Sequence, residues 1–359
     1  MFLSLYEVKK DKKKTARRER SIGEIGGKKG KIKIKSEDRE KYYQDLQSIL
    51  NGEKDEHILD YRQIAKIQST YIEGLLKVID KRTGKIHTRY MQTIAQTGRL
   101  SSVEPNLQNI PVRTDRGKEL RKFFCAREGW MLVDADYSQI ELRILAHLAD
   151  DKTMLEAFKN GLDIHTQTAA QVFNIPENMV TPLMRSRAKA VNFGIVYGIS
   201  GFGLARNAGL SRKEADQFIQ TYFQRYPGVR AFMDACVEKG NRTGYAQTMH
   251  GRRRELYELR AQNRNVRNFG ERAAMNTPVQ GTAADIIKLA MVKVSQRLKE
   301  EGCKGRLILQ VHDELVVECP MEEADRVAAL LQQTMENIVT LNVPLVAEVS
   351  RGKDWDAAH

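Results

Sequence analysis

The stretch that most restricts how this chain can fold is Leu307-Ile308-Leu309-Gln310-Val311-His312-Asp313-Glu314-Leu315-Val316-Val317-Glu318-Cys319. Two aliphatic, β-branched runs of about five residues flank a His-Asp-Glu trio, the pattern of neighbouring strands joined by a tight turn. Burying an unpaired carboxylate costs several kcal/mol or more, so charges at such a junction need a partner. Water at an exposed turn is one candidate and a metal ion is another.

A second carboxylate cluster lies in Val133-Asp134-Ala135-Asp136-Tyr137-Ser138-Gln139-Ile140-Glu141-Leu142-Arg143. The hydrophobic run Trp130–Val133 leads into it, and a helix is expected to begin near Ser138. Asp136 then sits at the C-terminal end of a strand. Magnesium favours oxygen ligands, commonly one or two carboxylates, waters and substrate phosphates. Asp136 and Asp313 are such a pair if the two segments are neighbours; otherwise Asp136 caps the following helix.

Residues 182–198 read Pro-Leu-Met-Arg-Ser-Arg-Ala-Lys-Ala-Val-Asn-Phe-Gly-Ile-Val-Tyr-Gly. Pro182 suits the first turn of a helix and Gly198 its end. Arg185, Lys189, Phe193 and Tyr197 recur every fourth residue and so share one face. Two cations followed by two aromatics suit a nucleoside triphosphate, with charges for phosphates and a ring for the base. The other reading is an amphipathic helix with snorkelling cations and core aromatics.

At 359 residues and 41% hydrophobic, the chain has enough apolar material for two or three subdomains. A formal charge of +13 favours a polyanionic partner. Residues 1–35 hold 13 Lys/Arg against 4 Asp/Glu, so most of the excess sits in that segment. Cys125, Cys236, Cys303 and Cys319 have no C-x-x-C spacing, which argues against zinc ligation and a disulfide framework and suits a reducing compartment. The N-terminus lacks a signal-peptide core, and no apolar run approaches about 18 residues. A cytoplasmic protein with no membrane partner is expected.

Helices are expected over 37–50, 55–77, 139–150, 152–159, 165–174, 182–198, 211–223, 228–240, 270–300 and 322–340. Strands are expected near 86–93, 130–136, 245–249, 307–311, 315–319 and 345–350. Strands separated by long helical insertions imply one sheet assembled from distant segments, an α+β plan.

Together, DYSQIELR (136–143), the R-x-x-x-K-x-x-x-F-G-x-x-Y-G pattern (185–198) and QVHDEL (310–315) resemble the three motifs of the family A DNA polymerases. TGRLSSVEPNLQNIPVR (97–113) and NTPVQGTAADIIKLAM (276–291) are similar to further family segments, and the resemblance runs from about residue 57 onward. It implies a right-hand α+β polymerase with an antiparallel-sheet palm (78–144 and 259–359), helical fingers (145–258) and a reduced helical thumb with a basic N-terminal segment (1–77). It further implies template-directed addition of deoxynucleoside triphosphates to a primer 3′-hydroxyl on primer-template DNA, by a monomer.

By the same resemblance, Asp136 and Asp313 hold two Mg2+ ions, for which Mn2+ is a substitute, with the Tyr137 carbonyl as a further ligand and Glu314 in support. Arg185, Lys189 and His165 bind the triphosphate, and Lys189 also protonates the pyrophosphate leaving group. Phe193 stacks beside the incoming nucleotide. Glu141 and Tyr197 occupy the place of a ribose 2′-hydroxyl. Arg99, Asn106, Gln108, Asn109, Arg272, Asn276, Gln280 and His312 contact template and primer, although loop and cap chemistry is the other reading for the amides among them.

Two departures from the pattern stand out. Ser186 takes a place where many relatives carry a second Arg, and only 59 residues precede the matching segment. The basic arm is read either as a sequence-independent grip on duplex backbone or as a solvated tail. Neither proofreading nor 5′-nuclease activity is expected of these 359 residues. The rival functions are a single-subunit RNA polymerase and a catalytically inactive nucleic-acid-binding scaffold.

Overall fold

A computed structural model describes residues 3–5, 56–112 and 115–359. The expected helix at 37–50 and nearly all of the basic arm lie outside the described residues. The chain divides into two compact units, Ser4–His87 and the remainder, Met1–Leu3 with Thr88–His359. In the first, helix Glu56–Lys66 runs through a π-helical turn, Ile67–Glu73, into Gly74–Lys77. The wider π turn breaks the single apolar stripe expected over 55–77. Tyr71 and Leu75 are buried, whereas Ile64 and Leu76 are exposed.

The second unit is built on a four-stranded antiparallel sheet. Its strands are β1 (Trp130–Tyr137), β2 (Arg306–Val311), β3 (Glu314–Pro320) and β4 (Ala347–Gly352), in the order β4-β1-β3-β2. Side chains alternate between faces with period two. Val133, Ala135, Leu315, Val317 and Cys319 turn to one side and join the main hydrophobic core. Helices α4 (Arg264–Glu300) and α5 (Ala324–Glu336) pack against the sheet. The opposite parity carries the acids: Asp136 pairs with Glu314, and Asp134 lies opposite Val316. A one-residue slip would drive these acids into the core, so the apolar face enforces the register.

After β1 the chain enters a helical region that includes α1 (Ile140–Ala149), α2 (Ile164–Phe173) and α3 (Pro182–Val196). The N-cap of α1 is Gln139, in a left-handed conformation and without a side-chain cap bond. The alternative role for Asp136 as a helix cap is therefore not realised. For α3, Thr181 accepts a hydrogen bond from the Met184 amide and Pro182 opens the first turn, as Pro182 led us to expect.

Several elements differ from the sequence expectation. Helix Gly201–Ala208 was not anticipated, because its glycines carry poor helix propensity. Its Ser200 N-cap and Gly209 in the left-handed region fix the two ends. Helix α4 begins at Arg264 rather than 270, capped by Asn263, whose side chain accepts from the Asn265 amide. The apolar periodicity that marks a helix is absent from its charged first turns. The short strands Ser101–Val103 and Arg253–Glu255 are too polar to stand out in sequence. Among the described residues, no helix is long and apolar enough to cross a membrane.

Candidate active site

Strands β2 and β3 are joined by the two-residue turn His312-Asp313, with His312 at φ +52°. The Tyr137 amide donates to the Asp313 carbonyl at 3.2 Å, which sets the turn against the end of β1. Two carboxylates 177 positions apart in the chain are thus brought to one end of the sheet. Burial, then the charges of Asp313 and Glu314, pushes the Asp136 carboxyl up to about 7. Burial also raises Asp313, against the opposing pull of Arg99. Carboxylates that resist ionising beside each other mark a deficit of positive charge. A divalent ion with oxygen preference would remove it, so the donor set fits magnesium. The Tyr137 phenol is buried and donates to the Met335 carbonyl at 2.7 Å, which anchors the residue whose carbonyl was expected to join the site.

A chain of contacts leads from this pair to α3. Arg99 Nη2 lies 4.0 Å from Asp313 Oδ1 and donates to Glu141 Oε1 at 2.6 Å. Tyr197 donates to the other Glu141 oxygen at 2.9 Å. Glu141 is buried, and its burial raises the carboxyl while Arg99 lowers it. An exposed helix-start glutamate is therefore not what the fold contains.

On α3, Arg185 and Lys189 are exposed, Phe193 is half-buried and Tyr197 is exposed, so this stripe does not serve as core. Arg185 Nε donates to Asp163 Oδ2 at 2.5 Å. Burial would raise the Asp163 carboxyl, but hydrogen bonds from Arg185, Thr166 and the His165 amide hold it at about 2. His165 is buried, its ring centroid 5.7 Å from that of Phe193. Burial lowers its pKa to about 4, so the imidazole is neutral at pH 7. Its Nδ1 stands 2.9 Å from Asn192 Nδ2, an amide donor, which leaves Nε2 to carry the ring proton. A neutral histidine in that tautomer still offers a donor to an anion.

The residues expected at the duplex fall into two groups. Asn106 caps the turn Leu107–Asn109 by accepting from the Gln108 amide, and Gln108 donates to Gln310 Oε1 at 3.0 Å. Those two amides already do the loop chemistry named as their other reading. Asn109 and His312 are exposed. Arg272, Asn276 and Gln280 recur every fourth residue along α4, and the first two lie against the end of α3. With its amide oriented to satisfy both ends, Asn276 donates to Val196 O at 2.6 Å and to Arg272 O at 3.1 Å. Glu314 is buried and accepts from Trp355 Nε1 at 2.7 Å.

Several residues of this network gave no sequence signal of their own. The Tyr90 hydroxyl donates to the Gln310 carbonyl at 2.8 Å and accepts from the Gln310 amide at 3.1 Å. Gln310 Nε2 in turn donates to the His312 carbonyl at 2.5 Å. Asp163 and Asn192 position the two phosphate candidates Arg185 and His165. Asp163 stands two residues before His165, and Asn192 lies inside the α3 motif, so both sit in segments that the sequence already marks.

Comparison with known proteins places these features in context. Residues 19–357 match the model of DNA polymerase family A. The chain is 56% identical over 301 residues to DNA polymerase I of Geobacillus stearothermophilus, covering 84% of this chain and 34% of that protein. It is 52% identical over 303 residues to the thermostable DNA polymerase I of Thermus aquaticus, covering 84% of this chain and 36% of that one. The chain thus spans about a third of the length of these relatives. Among solved structures, the POL domain of Pol1 from M. smegmatis, in complex with DNA primer-template and dNTP, superposes with a TM-score of 0.81 at 46% identity, covering 84% of this chain and 53% of that one.

Proposed function

Since the chain belongs to DNA polymerase family A and carries its α+β polymerase fold, we propose that it is a template-directed DNA polymerase that extends a primer 3′-hydroxyl with deoxynucleoside triphosphates. The observation that carries this reading is the meeting of Asp136 and Asp313 at one sheet end, linked through Arg99 and Glu141 to the cationic, aromatic face of α3.

In this reading Asp136 and Asp313, with the Tyr137 carbonyl, would hold two divalent ions, Mg2+ or Mn2+ in its place. Such ions lower the pKa of the attacking hydroxyl and stabilise attacking and leaving oxygens in an in-line displacement. Everything else is done by the chain's own groups. Arg185 and Lys189 bind the triphosphate, and Arg185 exchanges its Asp163 partner for phosphate. Lys189 also supplies a proton to departing pyrophosphate. His165 donates from Nε2 to a phosphate oxygen. Phe193 offers its face to the incoming nucleotide. Glu141, fixed by Arg99 and Tyr197, fills the volume a 2′-hydroxyl would need.

Arg272, Asn276, Gln280, Asn109 and His312 meet template and primer, and the minor-groove acceptors they can reach occur in every base pair. Asn106 and Gln108 hold their loop and take part through it. The sheet with its flanking segments (78–144 and 259–359) is the palm and residues 145–258 are the fingers; the site works as a monomer in the bacterial cytoplasm.

Primer extension tests the proposal. With Mg2+, primer-template and dNTPs, wild type should extend the primer, chelation should stop it, and Asp136→Ala should fall below detection. Equal extension by Asp136→Ala would end the two-carboxylate reading. Preference for rNTPs over dNTPs would favour RNA synthesis, and primer binding without extension would favour an inactive scaffold.

A further inference from the structure

Two residues up β1 from Asp136, on the same face of the sheet, lies a second group of potential ligands. Asp134 is 3% exposed and Glu314 4% exposed, and His359 reaches over them. Ligand atoms of the three all lie within 4.8 Å of one another. His359 Nδ1 stands 3.4 Å from Asp134 Oδ2 and 3.8 Å from Glu314 Oε2. Both Asp134 oxygens are buried and take no hydrogen bond from any donor outside this cluster; within it Asp134 faces the Glu314 carboxyl. Glu314 Oε1 is already committed to the Trp355 indole, which leaves Oε2 for the cluster.

Two donors that each lie about 2.1 Å from a tetrahedral ion stand about 3.4 Å apart, close to the spacings seen between His359 and the two acids. The nearby counter-charge is Arg121, 3% exposed, its guanidinium stacked 4.2 Å from the centroid of the Trp355 ring. Its Nε and Nη1 have no hydrogen-bond partner, so these two donors do not satisfy the acids. Paired carboxylates with an imidazole suit zinc or manganese better than magnesium, which prefers oxygen and water.

We propose that Asp134, Glu314 and His359 form an additional cation site, separate from the Asp136–Asp313 pair, that takes one divalent transition-metal ion of the zinc–manganese class. A bound ion would tie the segment Trp355–His359 to β1 and β3. It would also add positive charge beside Asp134 and Glu314, which both draw on the guanidinium of Arg121. Because no DNA or nucleotide takes part in binding, the test below is independent of the polymerase reading.

The full chain, stripped with chelator and returned to excess Mg2+ to occupy oxygen-rich sites, is titrated with Zn2+ and, in parallel, with Co2+ as a spectroscopic probe. Wild type should take up one more ion per chain than either Asp134→Asn or His359→Ala, and Zn2+ should raise the Tm of wild type alone. Equal uptake and equal Tm shifts in all three would overturn the site and leave Arg121 and a shared proton as the means of balancing the acids. Should Asp134→Asn fail to fold, His359→Ala decides the matter by itself, because its half-exposed imidazole is not needed for packing.

Discussion

Tyr197 donates a 2.9 Å hydrogen bond to Glu141, joining the end of α3 to the first turn of α1. With Arg99 on the other carboxylate oxygen, Glu141 is held in place from both sides. In the proposed reading, a ribose 2′-hydroxyl would meet a volume that the Glu141 carboxylate already fills. Glu141→Ala is expected to raise rNTP use relative to dNTP by about 10- to 100-fold, and Tyr197→Phe by less, because the Arg99 bond survives. Single-nucleotide incorporation kinetics measure both; an unchanged ratio in Glu141→Ala would remove the gate.

Phe193 presents a ring without a hydroxyl on the stripe proposed to face the nucleotide. It has nothing to replace a missing sugar 3′-hydroxyl, so wild type should incorporate ddTTP much less readily than dTTP. Phe193→Tyr should narrow that difference. Competition between the two nucleotides on one primer-template reads the effect, and identical ratios in both proteins would contradict the assigned position of the ring.

The turn that carries Asp313 is steadied from outside the sheet by Tyr90, whose hydroxyl both donates to and accepts from the backbone of Gln310. Burial pushes that phenol up to about 12, so it stays protonated across the working range. Tyr90→Phe leaves two backbone groups in need of partners and should cost about 1–3 kcal/mol. Urea unfolding of wild type and variant gives the number; no loss of stability would show that water replaces the hydroxyl freely.

Gly198 ends the stripe at φ +64°, and a Cβ there would lie 2.8 Å from Arg272 Cγ and 3.0 Å from Met275 Cε. Gly198→Ala combines a left-handed backbone with a close contact to α4, a penalty of about 1–3 kcal/mol. Because the strain falls next to Tyr197, the variant should also raise KM for dNTPs. Thermal unfolding and steady-state kinetics check the two effects separately, and a fully wild-type profile would mean that the chain after α3 shifts without cost.

His165 titrates at about 4 in the fold against 6.5 when unperturbed, with burial as the leading cause. On acidification the unfolded chain therefore binds the proton first. Stability from the buried neutral ring is complete above about pH 6.5 and is lost as pH falls toward 4, by roughly 3 kcal/mol in all. Denaturant midpoints of wild type and His165→Gln should converge over that window. Parallel curves would mean that the ring is solvated.

The sequence was most readable where chemistry and periodicity coincide. The hairpin around His312-Asp313 combines two β-branched runs with polar residues that only a turn can hold, and the structure has the turn there. The stripe Arg185–Tyr197 was visible for the same reason, as a four-residue period of unlike but complementary groups. What escaped was work done by contacts distant in sequence. Nothing around Tyr90 announces a bond to Gln310, 220 positions away. For Asn106 and Gln108 the sequence left substrate contact and loop chemistry both open, and it did not say which neighbours the loop chemistry would use: Asn106 caps its own turn and Gln108 braces Gln310. Gly201–Ala208 was hidden because its caps, rather than its propensities, make it a helix.

The sheet order also governs when this molecule becomes itself during synthesis. Strand β1 emerges from the ribosome with both of its edges bare, and its neighbours β3 and β4 begin only at Glu314 and Ala347. For the time it takes to translate those intervening residues, an apolar strand ending in acids has no lasting partner. The helices made meanwhile must shelter it, and Asp136 cannot meet Asp313 until the turn between β2 and β3 has been made.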